Sequence, residues 1–402
     1  MVARCWPRAS FRSGEVPDSY KLSNALTVGL ALWPGQLSDQ ERAWLDPGVP
    51  ENLDRNPDIL VVGGGIVGVA TAVACTQSGL GSVVLVEGDR LGSGASGGAA
   101  GQLIPEAHVG VDPPFLVDLM RFSLAAWRNL ERTWPRGVGL IALDWLGLEP
   151  TMAQFESLPS GAEQLSSDQV DALVPGLSHR GPGVLVRDQA RVNPLRAIAR
   201  LSAGLACVAT GVRVQGVSLE GGRVRSVQTS AGQLSPRHVV FATGTPPRLS
   251  GLQLNIPSGE VKGHMLTTEP TNLRLPGTVA PLATSIDDGR LMIGGTLDIG
   301  DSERVVRPEI IAAMWAELSA AWPVVNGIRI AHQWACFRPA HPDRLPVIDR
   351  VPGVGNAWLT SGHYKTGILL APATGIALAE WIRSGIRPAR VEGLGVDRFA
   401  TV

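Results

Sequence analysis

Apolar and polar positions follow two rhythms along this chain. A short apolar run, Ile59 to Val62, leads into a small-residue turn, an apolar stretch ending at Ser78-Gly79 and a second run, Val83 to Val86. That order predicts strand, helix, strand. Pro113 to Trp134 predicts a helix, with Phe115, Leu116, Leu119, Phe122, Ala126 and Leu130 near one face. Leu140 to Leu148 is predicted extended. Ser167 to Leu173 predicts a short helix, with Asp168 and Asp171 suited to its first turn. Asn193-Pro194 opens another, with Asn193 as N-cap and Pro194 at the first helical position. Val208 to Val217 and Arg223 to Thr229 predict a hairpin around Glu220-Gly221-Gly222. His238 to Gly244 reads as a buried strand. Val261 to Thr268, Thr278 to Ala283, Arg290 to Thr296 and Arg329 to Phe337 read as further strands, with a helix at Arg307 to Trp322. Most gaps between these strands hold no helix, so they predict an antiparallel sheet. Trp358 to Ser361 is a last strand and Gly367 to Ser384 a last helix.

The first strand–helix–strand unit carries the clearest chemistry. Its turn is Gly63-x-Gly65-x-x-Gly68, and Glu87 ends the second strand. Gly63 allows the tight turn, Gly65 lets the backbone approach a pyrophosphate, and Gly68 lets helix and strand pack closely. The helix N-terminus offers free N–H groups to phosphates. An acid at the position of Glu87 bonds ribose hydroxyls and disfavours a 2′-phosphate. The unit is therefore read as an adenine-dinucleotide site. A small-residue loop follows, Leu91 to Gly101, either pressing its backbone on a ligand or serving as a linker. The strand ending in Ala242-Thr243-Gly244 supplies a second strand terminus that can meet a dinucleotide.

Composition narrows the field. The chain has 402 residues, 44% of them hydrophobic, which suits two intertwined domains with sizeable cores. A net charge of −1 gives no reason to expect nucleic acid or an anionic membrane as partner. No apolar run reaches the roughly 20 residues that span a bilayer, and a cytoplasmic location is expected. Cys5, Cys75, Cys207 and Cys336 are scattered without a C-x-x-C, which fits a reducing compartment. No His/Cys cluster predicts a metal. Only three of the 35 basic residues are lysine, Lys21, Lys262 and Lys365, so a lysine inside a glycine-rich motif stands out. Only Tyr20 and Tyr364 are tyrosine. Residues 1–56 read as an N-terminal extension, disordered or the product of a misplaced start. Arg4, Arg8 and Arg12 give it a faint transit-peptide flavour. With one G-x-G-x-x-G set between a strand and a helix, and no redox-active cysteine pair, the unit serves a single held cofactor and the electron donor is a small substrate.

Four segments carry a family likeness: Val61 to Gly68 with Glu87; Gly94 to Gly101; Trp334-Ala335-Cys336-Phe337-Arg338-Pro339 with Asp343, Pro346 and Asp349; and Ser361 to Gly375. In these the chain resembles the FAD-dependent D-amino-acid oxidase superfamily, most of all its glycine oxidase and sarcosine oxidase branches, over about residues 57–395. The resemblance implies an α/β fold. A glutathione-reductase-like, Rossmann-type FAD domain would take residues 57–103, 185–255 and 336–395. An antiparallel-sheet α+β substrate domain would take 104–184 and 256–335.

It also implies the site. FAD would lie against Gly63, Gly65, Ile66, Val67, Gly68, Glu87, Gly88, Ser96, Gly101, Gln102, Val212, Ala242, Gly244, Gly362, His363, Lys365, Thr366, Gly367 and Ile368. Arg338 would clamp a substrate carboxylate, its alternative being a structural ion pair with Asp343 or Asp349. Lys365 stands where glycine oxidases have Arg and sarcosine oxidases a carboxylate-contacting Lys. His264 is either a pocket residue or a structural histidine. Cys336 has the C-x6-D-x5-D spacing of the sarcosine oxidase cysteine that attaches flavin covalently, whereas glycine oxidases have Gly there and bind FAD non-covalently. Near Leu282 glycine oxidases use a carboxylate-holding tyrosine, and near Met292 sarcosine oxidases use an oxygen-activating lysine. The expected activity is oxidation of the C–N bond of a small amino or imino acid, glycine oxidase-like, with O₂ as acceptor. An amino-acid dehydrogenase serving a quinone or partner protein is the alternative, and an FAD-binding subunit or tailoring enzyme acting on a tethered substrate a further one. A homo-oligomer is left open.

Overall fold

The computed structural model describes residues 27–150, 158, 161–179 and 181–399. Cys5, Tyr20, Lys21 and the arginines of the first 14 residues lie outside them. Three sheets organise the chain. The six-stranded sheet has the order Val347–Arg350, Ala357–Ser361, His238–Gly244, Ile59–Val62, Val83–Val86, Cys207–Ala209. Its inner strands pair in parallel, with Val61 beside Val240 and Leu85. Ile59–Val62 and Val83–Val86 are buried on both faces, as expected of strands covered by helices. One covering layer is the helix pair Ile66–Gln77 and Gly367–Ser384. Gly375 lets the two approach, because a Cβ there would sit 2.6 Å from Ala70 O.

The second helix contains Pro372, which removes a backbone donor and frees the carbonyl of Ile368. Trp127 Nε1 donates to that carbonyl at 3.0 Å. Ser123 Oγ donates to Leu369 O at 2.6 Å and accepts from Ala373 N. Both side chains come from the helix Pro114–Thr133. Its buried stripe runs through Leu116, Met120, Ser123, Trp127 and Leu130, while Phe115 and Phe122 are exposed. The expected face was thus rotated: Phe122 instead stacks on the Arg390 guanidinium.

The ten-stranded sheet carries Ile330–Ala340 against Gly259–Thr268 and continues through Leu291–Gly294, Ala283–Ser285, Gly277–Ala280, Ile141–Leu148 and Gly183–Arg191 to Gln102–Leu103. It is antiparallel except where Gly277–Ala280 runs parallel to Ile141–Leu148. The expected divisions at 185 and 336 both fall inside strands of this sheet. Residues 1–56 also need correction. From Thr27 on they are folded: Thr27–Leu30 pairs with Gln333–Cys336, Trp33 is fully buried, and Asp39–Leu45 is a helix with a Ser38/Glu41 capping box. The expected hairpin strand from Val208 splits, because Cys207–Ala209 joins the parallel sheet and Val214–Glu220 pairs with Arg223–Thr229. The helix Ser167–Leu173 is capped by a Ser166/Gln169 box.

Candidate active site

Both buried helices start where parallel strands end, the place where α/β sheets bind ligands. Gly63 adopts a left-handed φ of 114°, and a Cβ there would collide with Ala242 O. A Cβ on Gly68 would strike Gly63 O. Gly63 and Gly68 are therefore closed to any side chain, while Gly65 meets only Ser96 Oγ at 3.4 Å and leaves the space a pyrophosphate needs. Glu87 is already aimed at the turn: Oε2 accepts from Gly64 N at 2.6 Å and Oε1 from Asp89 N at 2.9 Å. Val212 N donates to Glu87 O at 2.8 Å, and Gly88 lies beside Arg213. Ser96 Oγ accepts from Ile66 N at 3.1 Å, leaving Val67 and Gly68 N–H without an intrahelical acceptor. These residues fit the diphosphate and ribose of FAD.

The segments expected at the other end also meet. Gly362 N donates to Gly244 O at 2.7 Å, and Tyr364 N donates to Pro339 O at 2.8 Å. Gly362 has no room for a side chain against His341. The helix start that follows presents the Gly367, Ile368 and Leu369 N–H groups with no intrahelical acceptor, at its positive dipole end. Thr366 Oγ1 donates to His363 O at 2.8 Å. His363 is enclosed, bonds Thr374 Oγ1 at 3.1 Å, and is pushed down to about 3 by burial and by neighbouring His341. It is a neutral support for the loop rather than a cation.

Strand alternation sorts the large sheet's side chains. Directly opposed residues share a face, so Arg338, Cys336 and Trp334 lie with Val261, Gly263 and Met265. Met265 pairs with Gly294 and Thr267 with Met292, so Met292 shares that face. This face meets the small-residue loop: Trp334 Nε1 donates to Gly98 O at 2.9 Å and Cys336 Sγ to Ala95 O at 3.3 Å. Gly101 closes the loop at φ 75° and accepts from Val192 N. Gln102 reaches across to Thr284 Oγ1 at 2.7 Å.

His264 pairs with Ala335 on the opposite face. It is fully buried, its Nδ1 bonded to Asp298 at 2.7 Å and its Nε2 accepting from Arg307 N at 2.9 Å. Both nitrogens are engaged by protein, so the pocket role is withdrawn. Lys262 is likewise turned away, paired with Asp301 at 3.0 Å.

Arg338 lies in a clearing made by two glycines: a Cβ on Gly263 would strike its guanidinium, and one on Gly295 would come within 2.5 Å. Its Nη1 donates to Thr296 O at 3.0 Å. The structural alternative is excluded, because Asp343 pairs with Arg398 at 2.6 Å and Asp349 accepts from Arg350 and Val396 backbone N–H groups. Among the described residues Arg338 has no acid partner. Lys365 follows Tyr364, which the Pro339 bond ties to the Arg338 strand. It keeps an exposed surface, yet protein surrounds it on most sides. Burial pushes its ammonium below the ordinary lysine value; Asp112 opposes this, and Arg338 and Arg344 add to it. Sequence reasoning missed His108, Asp112 and Arg344. The i, i+4 pair His108–Asp112, joined at 2.6 Å, was the available signal.

A family profile described as FAD dependent oxidoreductase matches residues 58–381. The glycine oxidase of Pseudomonas putida is 28% identical over 342 residues, 79% of this chain and 92% of that protein. The fold is similar to that of L-proline dehydrogenase from P. horikoshii, with a TM-score of 0.78, 21% identity, and 87% and 99% of the two chains covered. It is also similar to glycine oxidase from Geobacillus kaustophilus, at a TM-score of 0.74, 22% identity, and 85% and 98% covered.

Proposed function

The chain belongs to the DAO family of FAD-dependent oxidoreductases, and from that premise we propose that it oxidises the C–N bond of a small amino or imino acid. Glycine, sarcosine, proline-like imino acids and small D-amino acids form the candidate class, with glycine oxidase-like chemistry as the leading member. The carrying observation is Arg338, an acid-free guanidinium held in a glycine clearing on the face that meets the cofactor loop. The relatives named glycine oxidase support the same reading.

FAD supplies the acceptor for the hydride that leaves the carbon bearing nitrogen. The chain does the rest. Gly63, Gly65, Ile66, Val67 and Gly68 would hold the diphosphate, and Glu87, Gly88 and Val212 the adenosine end. Ser96, Gly101, Gln102, Ala242 and Gly244 would line the middle, and Gly362, His363, Thr366, Gly367 and Ile368 the ring. The Arg338 fork binds the carboxylate bidentately and so orients the α-carbon. Met265 and Met292 supply an apolar wall that excludes water. The helix start at Gly367 favours negative charge gathering at the ring edge. Cys336 spends its thiol on Ala95 O, which supports non-covalent FAD. The imine product takes up water and yields an oxo acid and ammonia, or an amine when the nitrogen was substituted. The two electrons and two protons reduce O₂ to H₂O₂.

One observation favours the dehydrogenase alternative. Met292 stands on the cofactor-facing side where an oxygen-activating lysine was sought, and Lys262 faces away. The test is to incubate the holoenzyme with each candidate under air and assay oxo acid and peroxide together. Oxo acid with matching peroxide supports the oxidase. Oxo acid formed only with a quinone or dye present assigns the dehydrogenase. No oxo acid under either condition contradicts the proposal.

A further inference from the structure

Tyr364 is the hub of a cluster with excess positive charge. Its N–H is bonded to Pro339 O, next to Arg338; Lys365 follows it in the chain; and the Arg344 guanidinium lies 5.9 Å from its ring centroid. Tyr364 and Arg344 both adopt left-handed backbone, with φ of 49° and 62°, a costly conformation for these residues that holds the arrangement in place. None of the three cations has a hydrogen-bonded or ion-paired acid among the described residues. The acid within electrostatic reach of both Lys365 and Arg344 is Asp112, which also bonds His108 Nδ1 at 2.6 Å.

Three cations against the one carboxylate of Asp112 leave an excess of two positive charges around Tyr364. A single carboxylate on Arg338 cancels one of them. Lys365 and Arg344 both reach the surface, where a second anion carried by the substrate gains from the excess positive charge. Building on the function proposed above, we propose that the substrate is an amino or imino dicarboxylate, its α-carboxylate on Arg338 and its distal carboxylate between Lys365 and Arg344. The different chemistries of the two ends suit this division. The Arg338 fork fixes the reacting end in one geometry, while the flexible Lys365 ammonium accepts distal groups at varied reach.

The test uses the FAD-loaded protein and two unreactive probes of equal chain length, succinate and butyrate. Each is titrated against the flavin absorption spectrum. Succinate is expected to bind at least roughly tenfold tighter, a preference that falls towards one in Lys365→Met and in Arg344→Gln. Equal affinity for the two probes, or a preference that both variants retain, overturns the dicarboxylate assignment alone. Failure of both probes to perturb the flavin or compete with substrate overturns it together with the carboxylate clamp at Arg338. As the catalytic counterpart, flavin reduction by iminodiacetate and D-aspartate is compared with reduction by glycine and D-alanine. The dicarboxylates should have the higher kcat/KM; a clear preference for the monocarboxylates contradicts the proposal.

Discussion

His363 shows what enclosure does to a single side chain. It has no room for charge, and its pKa is pushed down to about 3. In the unfolded chain it titrates near ~6.5. Between those values the unfolded state binds the extra proton, so folding stability is fully present above about pH 6.5 and falls as pH drops. The expected loss from pH 7 to pH 5 is about 2 kcal/mol from this residue. Thermal unfolding followed across that range should show the slope, and a His363→Gln variant should flatten it; an unchanged slope in the variant removes His363 as the cause. At this scale the site was partly legible. Arg338 could be proposed from the Arg-Pro step, but its freedom from Asp343 and Asp349 could not be read, since those acids find partners elsewhere in the fold. His264 was ambiguous because its face depends on sheet register, which one strand's sequence does not reveal.

The segment from Thr27 to Asp46 is the element that pattern reading left out of the fold. It is short and proline-punctuated, and its strand gains meaning only beside Gln333–Cys336. In place, it straps the cofactor loop from outside. Trp33 Nε1 donates to Ala99 O at 2.7 Å, and Leu91 N donates to Leu45 O at 2.8 Å, so both ends of the loop are tied to it. Glu41 anchors the strap to the helix Pro194–Ser202 through Arg196 at 3.1 Å and Arg200 at 3.0 Å. Trp33→Phe deletes the donor, leaving a buried carbonyl unpaired at a cost of about 1–3 kcal/mol, and replaces the buried indole by a smaller ring, which adds a cavity. FAD release, followed by the rise in flavin fluorescence on dilution, should quicken roughly tenfold or more. Equal thermal destabilisation of apo and holo protein with unchanged release would mean that the strap acts on the fold alone.

Across the whole molecule, the elements with strong local signals were the ones read correctly. The dinucleotide unit and the helix Gly367–Ser384 announce themselves through glycine spacing and unbroken apolar runs. The strand Gly183–Arg191 was missed because Asp188, at φ 57°, and the irregular pairing opposite Leu143 and Trp145 break its alternation. The substrate sheet was foreseen as antiparallel, but not that its strands would run through the expected domain boundaries. That continuity bears on the proposed site: one strand, Ile330–Ala340, carries Trp334 and Cys336 against the small-residue loop and Arg338, the proposed carboxylate clamp, beyond them. The account rests on an amine donor whose carboxylate Arg338 holds. The most direct test follows flavin absorbance without oxygen while small amino acids and amino dicarboxylates are added to the wild-type protein and to Arg338→Ala. At least one of them should bleach the wild-type flavin, and the variant, with its flavin retained, should need roughly 100-fold more of it, the loss expected for a charge-assisted pair worth about 3 kcal/mol. A wild-type flavin that none of these compounds bleaches, or a variant reduced as readily as the wild type, would contradict the account.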